Sequence, residues 1–114
     1  MVDTSAPEPS PGILRIRRDE DEGGVVLALE GELDLSSAPE LRRQLREIEA
    51  AHPDWILIDL SRLTFMDSSG LTVVIQANQS AELNGHRLSF RSASPQVRRL
   101  FELTGFLEHL TFVT

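Results

Sequence analysis

Three side chains able to take part in chemistry stand together in Phe65-Met66-Asp67-Ser68-Ser69-Gly70-Leu71, between an apolar run over residues 55–60 and a helical pattern over residues 69–84. Asp67, Ser68 and Ser69 fall where a helix begins, and each carries an oxygen able to accept a hydrogen bond from the free N–H groups of a first turn. That position is also the positive end of the helix, where a phosphate added to an outward-facing hydroxyl is tolerated. Capping and phosphate acceptance are both open to this motif, because one residue can cap while its neighbour is modified.

A catalytic serine would need a base. Ser69 does not sit in a Gly-x-Ser-x-Gly elbow, and no spacing brings His52, His86 or His109 beside it, so a hydrolase is not expected and no catalytic residue is assigned. Glu32 and Asp34 form an acid pair after a strand, the pattern of an ordinary surface turn. Asp19-Glu20-Asp21-Glu22 lacks the alternating ligands and glycine of a calcium loop and reads as a solvated charge run. Neither a metal nor a cofactor is expected.

Composition narrows the classes further. The chain has no cysteine, which removes thiol nucleophiles, disulfides and zinc–thiolate sites and fits a reducing compartment. All 11 basic residues are arginine, so a phosphate-loop lysine and Schiff-base chemistry are excluded as well. A length of 114 residues suits one domain, and 40% hydrophobic residues are enough for a compact core. The formal charge of −7 argues against nucleic acid and for a basic protein surface as partner. No apolar run is long enough to span a bilayer, and Met1-Val2-Asp3-Thr4 lacks a basic, then apolar, leader; a soluble cytoplasmic protein without direct membrane insertion is expected.

The elements that must position these residues are read in order. Residues 1–12, with Pro7, Pro9 and Pro11, are expected to be a mobile tail. Alternation over 13–18 and 25–30 predicts a hairpin around Gly23-Gly24, with edge arginines that discourage strand pairing and Gly31-Glu32-Leu33-Asp34 ending it. Ser37-Ala38-Pro39-Glu40 has capping-box spacing and opens a helix that buries Leu41, Leu45 and Ile48 and leaves Arg42, Arg43 and Arg46 solvated; His52-Pro53 stops it. Residues 55–60 are apolar on both alternating faces, the pattern of a central strand covered on each side. The helix from Ser69 places Leu71, Val74, Ile75 and Asn78 on one side and is capped by Gly85. A strand over 87–91, a helix from Ser94-Pro95 carrying Val97, Leu100 and Phe101 and ending at Gly105, and a short strand over 110–113 complete the chain.

Leu60-Ser61-Arg62-Leu63-Thr64-Phe65-Met66-Asp67-Ser68-Ser69-Gly70-Leu71 resembles the signature of bacterial anti-sigma factor antagonists, the single-domain members of the STAS family. Gly31-Glu32-Leu33-Asp34 is similar to a second motif that the family shows upstream, and with the order of elements the resemblance covers about residues 13–113. It implies an α/β fold, a single small STAS domain over residues 13–114. The N-terminal hairpin would be followed by alternating helices and strands, in a mixed sheet of about four to five strands with three main helices.

The resemblance further implies an antagonist that binds an anti-sigma factor which is also a serine kinase, thereby freeing a sigma factor for transcription. The kinase phosphorylates a serine of the Asp-Ser-Ser-Gly motif, and a metal-dependent serine phosphatase restores it. Carried onto this sequence, the acceptor is Ser69, and Glu32, Asp34, Asp67, Ser68, Gly70 and Leu71 are the partner-binding set. The chain would be a substrate and not an enzyme. Related STAS domains serve as subunits of lipid-transport ABC systems or as parts of stress-sensing complexes. That alternative makes this chain a protein-binding module without the phospho-switch.

Overall fold

A computed structural model describes residues 13–91 and 93–113 of the chain. The tail expected over residues 1–12 lies outside the described residues. Alternating apolar residues form β1 (Leu14–Asp21) and β2 (Gly24–Leu33), joined by a tight turn at Glu22-Gly23. There follow α1 (Ala38–Ala50), β3 (Trp55–Met66), α2 (Ser68–Asn84), β4 (Arg87–Arg91), α3 (Pro95–Thr104), a 3₁₀ turn (Leu107–His109) and β5 (Phe112–Val113). The sheet order is β1-β2-β3-β4-β5. β1 runs antiparallel to β2, and β2, β3, β4 and β5 are parallel neighbours. This is the expected α/β architecture with a mixed sheet, with β3 in its middle.

Strand register sorts the side chains into two faces. Val25 and Leu27 pair in line with Ile56, Ile58, Leu88 and Phe90, Leu29 falls at the bulge beyond them, and all are buried. Helix α1 lies on this face, since Arg18, whose register partner is Leu27, donates to Glu47 of α1 at 3.1 Å. Helix α2 lies there too, because Gly70 abuts Leu33 and Met66. So does α3, whose Phe101 stands 6.0 Å from Phe112, itself 5.8 Å from Phe90 between ring centroids. Successive right-handed crossovers in one direction put every helix on the same side. Gly85 and Gly105 end α2 and α3 in the left-handed conformation, as expected.

Four local expectations are corrected. The second face of β3, with Trp55, Leu57, Asp59 and Arg62, has no helix over it among the described residues; Leu57 is buried there, Trp55 and Asp59 are half-buried and Arg62 is exposed, so cover on that side is partial. β2 and β3 run further than their apolar cores, to Leu33 and Met66, absorbing Gly31-Glu32-Leu33 into a strand. Bulges between Ala28 and Glu30 and between Gly31 and Glu32 allow this, and Gly31 takes φ +109°, a value for which a side chain is poorly suited. The Ser37–Glu40 capping box does not form: the Ser37 hydroxyl donates to the Glu32 carbonyl at 2.9 Å and accepts the Asp34 N–H at 2.9 Å. Glu40 instead meets Arg43 and Gln44, and the Arg43 hydrogen bond, then that of Gln44, hold its carboxyl down at about 2. In α2 the buried stripe is broader than expected and takes in Val73, Ala77 and Ala81, while Ile75 and Asn78 are half-buried.

Phe90, fully buried on the central part of the sheet, is the test of this core. Phe90→Ala is expected to lower the unfolding free energy by about 3–5 kcal/mol in urea titrations followed by circular dichroism.

Candidate functional site

The site is built where β2 and β3 end and α2 begins. Asp67 is the N-cap of α2: its backbone is extended and its Oδ1 accepts the N–H groups of Ser69 at 2.8 Å and Gly70 at 3.3 Å. Its carbonyl accepts the Leu71 N–H at 3.0 Å, and its own N–H donates to the Leu33 carbonyl at 3.1 Å. The cap of α2 is thereby tied to the last residue of β2. Of the two roles open in the sequence, capping falls to Asp67, and neither serine hydroxyl has a hydrogen-bond partner among the described residues. Ser68 is exposed and Ser69 half-buried.

Gly70 and Leu71 lie beneath this surface. A Cβ on Gly70 would stand 2.6 Å from Leu33 Cγ and 2.9 Å from Met66 Cγ, so only glycine lets the first turn of α2 seat against both strands. Leu71 is 7% exposed and belongs to the core. Any contribution of these two residues to partner recognition is therefore positional.

Asp34 organises the neighbouring turn between β2 and α1. Its Oδ1 accepts the Ser36 hydroxyl at 2.8 Å, the Ser36 N–H at 3.0 Å and the Ser37 N–H at 3.2 Å. The Ser36 hydroxyl bond, with the backbone N–H bonds after it, keeps the carboxyl below its ordinary value despite some desolvation. Glu32 is half-buried on β2, in register with Phe65 of β3. The carboxyl ends of β2 and β3 thus bring together Glu32, Asp34, Asp67, Ser68 and Ser69.

Sequence reading missed the apolar part of this surface. Leu35, Phe65 and Ile13 are 75%, 47% and 47% exposed. Leu35 follows Asp34 in the turn, Phe65 pairs with Glu32, and the Ile13 carbonyl accepts the Glu32 N–H at 2.8 Å. A large apolar residue between Asp34 and Ser36 in an otherwise polar turn was the available signal. The histidines are elsewhere. His52 and His86 precede β3 and β4 at the opposite end of the sheet, and His109 lies in the 3₁₀ turn, its carbonyl 3.4 Å from Asn78 Nδ2. Among the described residues no group of histidine and acidic side chains is placed to hold a metal, and no helix is long and apolar enough to cross a membrane.

The STAS domain model matches residues 15–114. The anti-sigma F factor antagonist of Paenibacillus polymyxa is 30% identical over 96 residues, 83% of this chain and 82% of that protein. The anti-sigma factor antagonist SpoIIAA in its unphosphorylated form superimposes with a TM-score of 0.76 at 26% identity, covering 88% of this chain and 89% of that one. The same Bacillus protein in its phosphorylated form gives 0.70 at 26% identity, covering 88% and 92%. The chain belongs to the STAS-domain family, and within it to the anti-sigma factor antagonists.

Two expectations follow from this geometry. Asp67→Ala should destabilise the protein by about 0.5–2 kcal/mol through the lost cap, with the fold retained, as read by chemical denaturation. The Asp34 turn should be pH-sensitive in one direction. A carboxyl held below its ordinary value contributes stability that is present above the ordinary range and lost as pH falls through the lowered value. Acidification below the ordinary value of 3.8 is therefore expected to loosen the Ser36 and Ser37 amides in NMR spectra, and Asp34→Asn should remove that transition.

Proposed function

We propose that this protein acts as a phosphorylation-controlled antagonist, binding an anti-sigma factor with serine kinase activity while Ser69 is unmodified and releasing it once Ser69 carries phosphate. The observation that carries the reading is the division of labour at the α2 N-terminus. Asp67 does the capping, which leaves a serine hydroxyl unengaged at the positive helix end beside exposed Phe65 and Leu35. The catalytic groups and the nucleotide belong to the partner; this chain is ligand and substrate, and a serine phosphatase returns it to the binding form. Glu32, Asp34, Asp67 and Ser68 form the polar rim of the docking surface, Phe65 and Leu35 its apolar anchors, and Gly70 and Leu71 its support.

Magnitudes favour a switch without refolding. A phosphate brings a charge of about −1.5 to −2, and an exposed helix N-terminus favours such an anion by about 0.3–1 kcal/mol, so the free domain accommodates it. Within an interface the same phosphate, next to Asp67, meets desolvation and like-charge repulsion of roughly 3 kcal/mol. That corresponds to a loss of affinity of about a hundredfold.

Calorimetric titration of the purified anti-sigma kinase against the unmodified and Ser69-phosphorylated chains tests the reading. A hundredfold difference is expected, with Phe65→Ala weakening the unmodified complex about tenfold or more. Equal affinities would overturn the switch. Phosphate incorporated into Ser69→Ala at Ser68 would move the acceptor to the first serine.

A further inference from the structure

We propose that the helix-free face of the sheet is a second docking surface, one that receives an acidic amphipathic segment of a protein partner. Parallel sheets are ordinarily covered on both faces. Here the β2-β3-β4-β5 ladder is parallel, yet no helix among the described residues lies over its second face. Those side chains are arranged in rows across the strands. Arg15, Glu30 and Arg62 are register partners in one row, and Arg17, Ala28, Asp59 and Arg91 in the next. Further along come Asp19, Val26, Leu57 and Ser89, then Asp21, Gly24, Trp55 and Arg87.

The face is divided chemically. Its half nearer the α2 N-terminus is basic, on a protein whose formal charge is −7. Arg17 is paired with Asp19 at 3.3 Å and Arg91 with Asp59 at 3.7 Å, whereas Arg15 and Arg62 make no ion pair among the described residues. Those two arginines flank Glu30 and help line a groove of about 290 Å³ with Arg17 and Asp59. Its other half is apolar at the centre, at Val26, Leu57 and Trp55, with Asp19 and Asp21 on the β1 side and Arg87 on the β4 side. The Trp55 indole lies flat across β2, so close that a Cβ on Gly24 would stand 2.0 Å from a ring carbon. Val26 and Trp55 remain half-buried there.

An acidic segment fits this division. Its carboxylates would form bidentate hydrogen bonds with Arg15 and Arg62, and its apolar side chains would cover Val26 and Trp55. The overall negative charge disfavours an anionic membrane as the occupant, since the rest of the molecule would be repelled by it. This surface is distinct from the Ser69 site and does not rest on the phospho-switch.

Trp55 is the single tryptophan, so its fluorescence reports on this face directly. The full chain, labelled with nitrogen-15, would be titrated with a synthetic peptide alternating glutamate and leucine, and with the same peptide carrying lysine for glutamate. The glutamate peptide is expected to change Trp55 emission and to shift the amides of Ala28, Asp59 and Arg62 while sparing Ser68 and Ser69. Arg15→Glu should weaken it about tenfold and Arg62→Gln, a milder change that preserves the fold, by a smaller factor. Equal binding of the lysine peptide, binding of neither, or shifts gathered at the α2 N-terminus would overturn the proposal. So would binding of phosphatidylserine vesicles in place of the peptide.

Discussion

The hydrogen bond from the Asp67 N–H to the Leu33 carbonyl, at 3.1 Å, is the constraint on which the site depends. It joins the end of β2 to the start of α2, elements with α1 and β3 between them in the chain. Around it Asp67 Oδ1 accepts the Ser69 and Gly70 N–H groups of the first helical turn, and the Asp67 carbonyl receives Leu71. Gly70 makes the tie possible, because any side chain there would push the helix off Leu33 and Met66. The turn that Asp34 organises follows Leu33 directly, so its position relative to Ser69 is fixed by the same tie.

The element types, their order and the buried faces of α1 and α3 were legible because each is written in local periodicity and in local punctuation, such as Gly85, Gly105 and Ser94-Pro95. The Asp-Ser-Ser-Gly junction was legible for the same reason. What could not be read depended on partners distant in sequence. The Ser37 hydroxyl looked like a helix cap but is claimed by Glu32 and Asp34, residues positioned by the bulged end of β2. Residues 61–66 alternate too poorly to announce a strand, and they continue β3 only because bulged β2 lies alongside. The apolar run at 55–60 promised cover on both sides. Crossover handedness, which periodicity does not encode, put every helix on one.

The serine pair and the sheet face represent two ways of using an acidic protein. At the α2 N-terminus a small change in charge works against a surface already rich in carboxylates, with Glu32, Asp34 and Asp67 close by. The sensitivity of the site comes from that background: one more anion there is opposed by several neighbours within about a Debye length. On the open face the sign reverses locally, where Arg15 and Arg62 make no ion pair among the described residues and the pairs Arg17–Asp19 and Arg91–Asp59 lie beside them. The fold keeps these two fields apart by placing them at an end and on a face of the same rigid sheet.

β3 runs from Trp55 to Met66, while β4 beside it stops at Arg91, in register with Asp59. Beyond that point β3 has β2 as its one strand neighbour among the described residues, and α3 packs against the same strand, so the stretch that leads to the serines is held by a strand and a helix. A change in the packing of α3 is therefore carried to the start of α2 through a single strand.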